Sequence, residues 1–276
     1  MKHGILSRSR EAFHGYLAPH RHTALLIAIV ILFMVRPLIG DGGIATAIFS
    51  IAILLLLLFA LYAIQVDELV GERETLLAQR RRRSIIGWAL AVPATIARMA
   101  VIFIPSPALY LSETILWLLL FVFITWHQLR GVLKQKEITS ETISMSISVY
   151  LLMGFTWGLF YILLHHVQPN AFNLGSSSPP LSGEQKFFPV LIYFSLTTLS
   201  TIGFGDITPV TMQARYAAVA EGITGQFYLA ILVARLVGMQ MSKSTAPASE
   251  DQPRSSPAEN PHTENPHQED PHKADG

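Results

Sequence analysis

A stretch of hydroxyl residues and glycines, Thr197–Asp206, holds the residues of this chain best suited to chemistry. It reads Thr-Thr-Leu-Ser-Thr-Ile-Gly-Phe-Gly-Asp and lies between two long apolar segments. Glycine adopts backbone angles that other residues avoid, so a short strip of carbonyls can turn to one side. With the Thr201 hydroxyl as a further layer, such a strip offers oxygen ligands for a dehydrated cation. One strip holds too few oxygens, which predicts several copies around a common axis, most simply four.

The composition is that of a membrane protein. Of the 276 residues, 51% are hydrophobic and only 14% are charged, whereas a soluble domain carries about 25% charge. The mean hydropathy is +0.41. Cysteine is absent, which excludes disulfides, thiolate metal sites and cysteine nucleophiles. We also find no acid–base pair, nucleophile dyad or phosphate-binding loop. The sequence therefore does not favour an enzyme, a cofactor, a nucleic-acid partner or a soluble small-molecule substrate.

Six apolar segments have the length of a membrane-spanning helix. A bilayer core of ~30 Å needs roughly 20 helical residues, and backbone in lipid must form its hydrogen bonds internally. We therefore predict an all-α membrane protein with six transmembrane helices. The segments cover about residues 23–39, 44–64, 85–104, 113–129, 143–166 and 211–239.

The lysines and arginines predict the orientation. With the N-terminus inside, the inner segments hold nearly all of them, including Arg80–Arg83, whereas the outer loops hold only Lys186. We expect a multi-pass protein of the cell membrane with both termini in the cytoplasm. The basic segment 1–22 could instead begin a signal peptide, but no convincing cleavage site follows the first apolar run. Residues 187–205 must then enter and leave on the outer side, as a half-membrane helix and re-entrant loop would.

Residues Thr198–Asp206 closely resemble the signature of potassium channels, in which threonine and an aliphatic residue precede Gly-Tyr/Phe-Gly-Asp. The resemblance covers residues 143–241 and implies a homotetramer in the lipid bilayer, with K⁺ as the permeant ion in a selectivity filter. It implies K⁺ ligation by the carbonyls of Thr201, Ile202, Gly203 and Phe204 and by the Thr201 hydroxyl, with Gly205 completing the filter. It also implies filter support by Thr197, Thr198, Ser200, Asp206 and the aromatic pair Tyr193 and Phe194.

Three positions depart from the commonest pattern of that family. Phe204 replaces the commoner tyrosine, so the hydroxyl that would bond the aromatic residues around the filter is absent. Thr197 stands where several bacterial members have a glutamate behind the filter, so a carboxyl pair with Asp206 is unavailable. Ser200 replaces a common threonine, which is a mild change.

Six crossings with the pore in the last two resemble the architecture of voltage-gated channels. Voltage sensing requires several charges that move through the membrane field. The fourth segment has no Arg or Lys, and the third has only Arg98, so we expect weak or absent voltage gating. The expected regions are a basic cytoplasmic N-terminus at 1–22, a four-helix region at 23–141, a pore domain at 142–241 and a disordered cytoplasmic tail at 242–276.

Glu221 is a carboxylate inside the last apolar segment. A carboxylate at membrane depth is expected to be functional or paired. It could face a water-filled cavity and attract cations, or lie behind the half-membrane helix and bond Thr197 or Thr198. The second arrangement is favoured.

The glycines of the last helix allow two interpretations. Gly222 and Gly225 could bend this helix during gating. Alternatively, they could pack closely against the fifth helix, where Gly154 and Gly158 offer small residues at helical spacing. The sequence does not decide between these.

Other polar residues have modest expected roles. Arg98 should be paired or face a cavity, and Arg215 should anchor the outer mouth. His165 and His166 end the fifth segment, where interfacial placement is favoured over sensing of external pH. The tail 242–276 contains three Asn/Asp-Pro-His repeats, for which a solvated tail is favoured over a weak metal site.

The sequence leaves other functions open beside a potassium-selective channel. A less selective cation channel would need a loosened filter. A potassium transporter subunit would carry four degenerate loops in one chain, whereas this chain has one. A membrane sensor or scaffold would carry a loop that does not conduct.

Overall fold

The computed structural model describes residues 21–39, 51–61, 77–104, 106–135, 137–175 and 187–244. These form seven helices and two short strands among the described residues. They are α1 (Arg21–Ile39), α2 (Ile51–Leu61), α3 (Leu77–Phe103), α4 (Pro107–Lys134), α5 (Ser140–Val167), β1 (Phe172–Asn173), α6 (Phe187–Leu199), β2 (Thr208–Pro209) and α7 (Met212–Ser244).

Within these ranges, four helices are long and apolar enough to cross a membrane. They are α4, α5 and the apolar parts of α3 and α7, at Ser84–Val101 and Met212–Met241. The apolar parts found in α1 and α2, Arg21–Met34 and Ile51–Leu61, are shorter, and the second predicted crossing extends at both ends into residues outside the described ones. A helical membrane protein is thus confirmed, whereas six crossings stay a prediction. The basic segment 1–20 and the tail from residue 245 also lie outside the described residues.

Local capping explains why α4 and α5 begin where they do. The Ser106 hydroxyl accepts the Leu109 N–H at 3.3 Å, and Pro107 occupies the first turn, where a missing N–H has no cost. At α5 the hydroxyl of Thr139 accepts the Thr142 N–H, and the Thr142 hydroxyl accepts the Thr139 N–H. This reciprocal capping box satisfies two otherwise unpaired donors.

Helix α5 is the centre of the packing, because α1, α4, α6 and α7 all contact it. At the cytoplasmic end that the charge distribution predicts, Glu141 of α5 caps α1. Its two carboxylate oxygens accept the His22 N–H at 2.9 Å and the Thr23 hydroxyl at 2.6 Å. A carboxylate is favourable at a helix N-terminus, so this contact ties the first helix to α5.

An ion pair joins α3 to α4 at membrane depth. Arg98 Nη1 donates to Glu113 Oε1 at 2.9 Å, and both side chains are largely buried. The sequence predicted that Arg98 is either paired or faces a cavity, and the structure shows a pair with Glu113. The pair explains how two ionisable residues can lie in apolar helices, since each neutralises the other.

We expect Glu113→Gln to destabilise the protein strongly, because the buried Arg98 charge then loses the carboxylate that neutralises it. Breaking a buried pair in this way costs about 3–5 kcal/mol. Unfolding with a denaturing detergent would measure the loss. The double variant Arg98→Met, Glu113→Gln removes both charges and should recover most of it. Equal stability of the single variant and the wild type would contradict the prediction.

Within the described residues, the strands are the one departure from an all-α fold. β1 and β2 pair antiparallel, with Phe172 opposite Pro209 and Asn173 opposite Thr208. Val210 also donates its N–H to the Ala171 carbonyl at 2.8 Å. The pair lies at the end of the glycine-containing stretch, near Asp206, and the backbone groups of the two strands satisfy each other there.

Candidate functional site

The glycine loop (residues 200–206) follows α6 and is bonded to its last turn. The N–H groups of Ile202 and Gly203 both donate to the Thr197 carbonyl, at 2.9 and 3.2 Å. The Thr201 N–H donates to the Thr198 carbonyl at 3.0 Å. Helix α6 thus satisfies the carbonyls at its own C-terminus with donors from the loop, which holds the loop against it.

These bonds fix the direction of the first carbonyls of the loop. Among the described residues every peptide is trans, and a planar trans peptide points its C=O opposite to its N–H. The N–H of Ile202 is directed into α6, so the Thr201 carbonyl is directed away from it. By the same geometry the Gly203 N–H turns the Ile202 carbonyl away, and the Thr201 N–H turns the Ser200 carbonyl away.

The backbone of the loop alternates in handedness. Thr201, Gly203 and Gly205 have φ of 60°, 53° and 79°. In an extended chain successive carbonyls point to opposite sides, and a left-handed residue at every second position returns them to one side. Thr201 is the one non-glycine residue with positive φ in the part of the chain that the structure describes. Such an outlier at a β-branched residue is strained and marks a candidate functional site.

The loop is open to the outside of the single chain. All residues from Thr201 to Asp206 are exposed, including Ile202 at 57% and Phe204 at 68%. The carbonyls of Thr201 and Ile202, which point away from α6, therefore lie on this exposed face. The C-terminus of α6 carries a partial negative charge beside this face, which favours a cation there.

The outer end of the loop is held by side chains and by the β1 segment. Asp206 Oδ1 accepts the Ile207 N–H at 3.0 Å, and its carboxylate lies near enough to the Tyr193 phenol to act on it electrostatically. The Tyr193 ring stacks on Phe204 with centroids 6.4 Å apart and planes 2° apart. Gly175, with φ of 73°, approaches the Asp206 carbonyl so closely that a Cβ would lie 2.8 Å from it.

The predicted aromatic pair is divided by the structure. Tyr193 faces the glycine loop, whereas Phe194 is buried on another side of α6. The Phe194 ring packs edge-on against Tyr161 and Phe172, at centroid distances of 5.2 and 5.3 Å. Neighbouring residues on a helix point about 100° apart, so both could not face the loop. Support of the filter by Phe194 stays a prediction.

The predicted support residues act in the structure through their backbone. The Thr197 hydroxyl donates to the Phe194 carbonyl at 2.9 Å, and the Ser200 hydroxyl donates to the Leu196 carbonyl at 2.7 Å. Both hydroxyls thus bond α6 itself. Thr197 and Thr198 contribute to the loop by the carbonyls that accept its N–H groups.

Glu221 lies behind α6 and is completely buried. The Tyr161 hydroxyl donates to its Oε2 at 2.5 Å, and its Oε1 is hydrogen-bonded to Ser195. The position of Glu221 behind α6 agrees with the favoured interpretation. The prediction that Glu221 bonds Thr197 or Thr198 is wrong. Ser195 lies on the buried face of α6 and presents a small polar side chain there, whereas the Thr197 hydroxyl bonds its own helix.

The glycines of α7 differ in their surroundings. A Cβ on Gly225 would lie 2.6 Å from the Leu199 carbonyl oxygen at the end of α6, whereas the nearest atom to one on Gly222 is the Thr198 carbonyl oxygen at 4.0 Å. Helix α7 is continuous through both. Gly154 and Gly158 of α5 face Leu196 and Ile192 of α6. The sequence offered one alternative to a hinge, in which the glycines of α7 pack against Gly154 and Gly158. Because Gly154 and Gly158 face α6 instead, that alternative is wrong.

Several contacts were not anticipated from the sequence. Tyr150 of α5 donates its hydroxyl to the Leu199 carbonyl at 3.1 Å, and Tyr228 of α7 donates to the Ser146 carbonyl at 2.7 Å. Arg235 of α7 donates to the Val132 carbonyl at 2.8 Å and to the Gln135 carbonyl at 2.5 Å. The only signal for Arg235 was a basic residue near the inner end of an apolar helix.

The remaining polar residues lie near the ends of their helices. Arg215 donates to the Pro209 carbonyl at 3.3 Å. The His166 Nδ1 is 2.7 Å from the Ile162 carbonyl, and the His165 ring centroid is 4.2 Å from that of Phe187. No group of three or more metal-ligating side chains occurs within the described ranges. The Asn/Asp-Pro-His repeats of the tail lie outside them.

Comparison with known proteins matches residues 149–241 to a family model described as ion channel. The protein named LctB of Bacillus caldotenax is 26% identical over 103 residues, which are 37% of this chain and 74% of that protein. The protein of the same name in Geobacillus stearothermophilus is 32% identical over 89 residues, which are 32% of this chain and 62% of that protein. No solved structure matches the chain.

The matched residues coincide with the structural unit described above. They include α5 from Val149 onwards, α6, the glycine loop and most of α7. Passive ion conduction, rather than an enzymatic reaction, is the activity that such a region supports. Residues 149–241 are therefore the region of this helical membrane protein that is similar to ion channels.

Proposed function

We propose that the protein is a potassium-selective channel and that the glycine loop is its selectivity filter. The observation that carries the proposal is the alternating handedness of Thr201, Gly203 and Gly205 together with the N–H groups bonded into α6. This backbone aims carbonyls at an open face, where they can replace the hydration shell of K⁺. The proposed ligands are the carbonyls of Thr201, Ile202, Gly203 and Phe204 and the Thr201 hydroxyl.

A homotetramer would complete this site. One chain supplies one oxygen to each layer, so four chains around an axis supply four. Helix α7 supports such an assembly, because it exposes large apolar side chains along one face, among them Tyr216 at 69% and Phe227 at 64%. A contiguous apolar surface of this kind marks a protein or lipid contact. Neighbouring copies of the chain would cover the part of this α7 surface that lies nearest the axis.

The other regions fit the same proposal. Residues 142–241 would form the pore domain in the cell membrane, and the four-helix region 23–141 would surround it, with both termini in the cytoplasm. The 113–129 segment contains no Arg or Lys, so opening would depend weakly or not at all on voltage. K⁺ would pass through the filter as a permeant ion, and no cofactor would be required.

Flux in liposomes tests the proposal directly. We expect the purified protein to conduct K⁺ at least about tenfold faster than Na⁺, which corresponds to about 1.4 kcal/mol of discrimination. The measurement is tracer uptake along matched K⁺ or Na⁺ gradients, with protein-free liposomes as the control. Equal K⁺ and Na⁺ fluxes would instead indicate a less selective cation channel. The absence of both would indicate a sensor or scaffold.

A further inference from the structure

Glu221 joins three helices at a point closed to solvent. Its carboxyl group comes from α7, one oxygen is bonded to Tyr161 of α5 and the other to Ser195 of α6. All three side chains are 0% exposed. In the described ranges no charged side chain is among the partners of Glu221, and besides Tyr161 the titratable group near enough to feel its charge is the phenol of Tyr150.

The hydrogens available to this cluster can be counted. Tyr161 has one hydroxyl hydrogen, which it donates to Oε2 of Glu221. Ser195 also has one, but its Oγ lies within hydrogen-bond distance of two oxygens, Oε1 of Glu221 and the Gly154 carbonyl at 2.7 Å. A carbonyl can only accept, and an ionised carboxylate can only accept. If Glu221 were ionised, one of these two close oxygen–oxygen contacts would contain no hydrogen.

One additional proton satisfies every contact. With a hydrogen on Oε1, Glu221 donates to Ser195 Oγ, Ser195 donates to the Gly154 carbonyl, and Tyr161 donates to Oε2. The buried group is then neutral, which removes the large cost of an unpaired charge in an apolar interior. We propose that Glu221, Ser195 and Tyr161 form a proton-binding site, in which a neutral glutamic acid bonds the inner helix α7 to α6 and α5.

The position of the site gives the proton a structural role. Ser195 lies two residues before Thr197, whose carbonyl holds the N–H groups of Ile202 and Gly203. Removing the proton would leave Oε1 and Ser195 Oγ, or Ser195 Oγ and the Gly154 carbonyl, in repulsive contact. Helix α6 would then shift against α5 or α7 and carry the glycine loop with it. Glu221 is thus a positioning residue for the loop. Whether Glu221 carries the proton is a separate question from whether the loop selects K⁺ over Na⁺.

Infrared spectroscopy of the full chain in lipid tests the proton directly. The difference spectrum between the wild type and Glu221→Gln at neutral pH cancels all other carboxyl groups. We expect it to contain the C=O band of a protonated carboxylic acid. A difference spectrum with carboxylate bands alone would overturn the proposal, whatever the protein conducts.

Stability of the variants gives a second readout. Glutamine keeps one donor and one acceptor in the shape of the neutral acid, so Glu221→Gln should unfold at nearly the wild-type temperature. Glu221→Ala should unfold at a clearly lower one. Equal losses in both variants would contradict a neutral acid. Tyr161→Phe removes only the donor to Oε2, so the acid band should move to higher frequency, and an unmoved band would overturn the assigned donors.

Discussion

Gly203→Ala is expected to abolish the preference of flux for K⁺ over Na⁺ while the helices stay folded. Gly203 has φ of 53°, and no atom lies within 4 Å of an added Cβ. The cost therefore comes from the left-handed backbone, at about 1–2 kcal/mol in each chain, or about 4–8 kcal/mol in four copies. A backbone that relaxes to relieve this cost turns carbonyls away from the open face. Liposome flux ratios and far-ultraviolet circular dichroism of the same preparations measure both effects.

Gly238→Ala is the matched control for this experiment. It makes the same chemical change inside α7, where an added Cβ meets no atom within 4 Å and φ is not positive. Alanine is the better helix former, so stability and selectivity should be retained. Wild-type selectivity in Gly203→Ala, or an equal loss in Gly238→Ala, would contradict a filter formed by the glycine loop.

Gly225→Ala is expected to lower both the unfolding temperature and the flux. The added Cβ would lie 2.6 Å from the Leu199 carbonyl oxygen and 2.9 Å from its Cδ1. The carbonyl belongs to the last turn of α6, so α7 must move away from it. Overpacking of this kind costs about 1–3 kcal/mol in each chain. Thermal unfolding in detergent, followed by the liposome flux measurement, would detect the loss.

Gly222→Ala separates close packing from a hinge. Its added Cβ would lie 4.0 Å from the nearest atom, the Thr198 carbonyl oxygen, which is an ordinary contact. Close packing predicts that this variant is as stable as the wild type or more so, by up to about 1 kcal/mol from helix propensity. If the glycines serve as a hinge, both substitutions should stiffen α7 and impair flux alike. Equal damage from both variants would therefore refute the packing argument.

The helices of this protein could be predicted from apolar length, but their ends required other information. The fourth segment was predicted at 113–129, whereas α4 extends from Pro107 to Lys134. At its far end the chain becomes charged, yet the helix continues, and the Arg130 guanidinium lies 4.7 Å from the Trp126 ring centroid. Long basic side chains can reach the polar interface from within a helix. The apolar stretch of the sequence therefore ends before the helix does.

The glycine loop could be found from the sequence because the residues that determine its conformation are neighbours in the chain. Gly203 and Gly205 lie two residues apart, and the left-handed angles that they permit follow from that spacing. The partners of Glu221 could not be found in this way. They depend on how α5, α6 and α7 are rotated about their axes, which a periodic pattern in one segment does not determine. Burial of Glu221 was predictable, whereas its contact with Ser195 was not.

The connection between α4 and α5 is fixed at both of its ends. Arg235 binds the carbonyls of Val132 and Gln135, and Thr139 forms the capping box that begins α5. One inserted residue would lengthen the connection, so that one of these two attachments would have to shift or break. The connection therefore works as a spacer of set length. It can tolerate exchange of its exposed side chains far better than the gain or loss of a single residue.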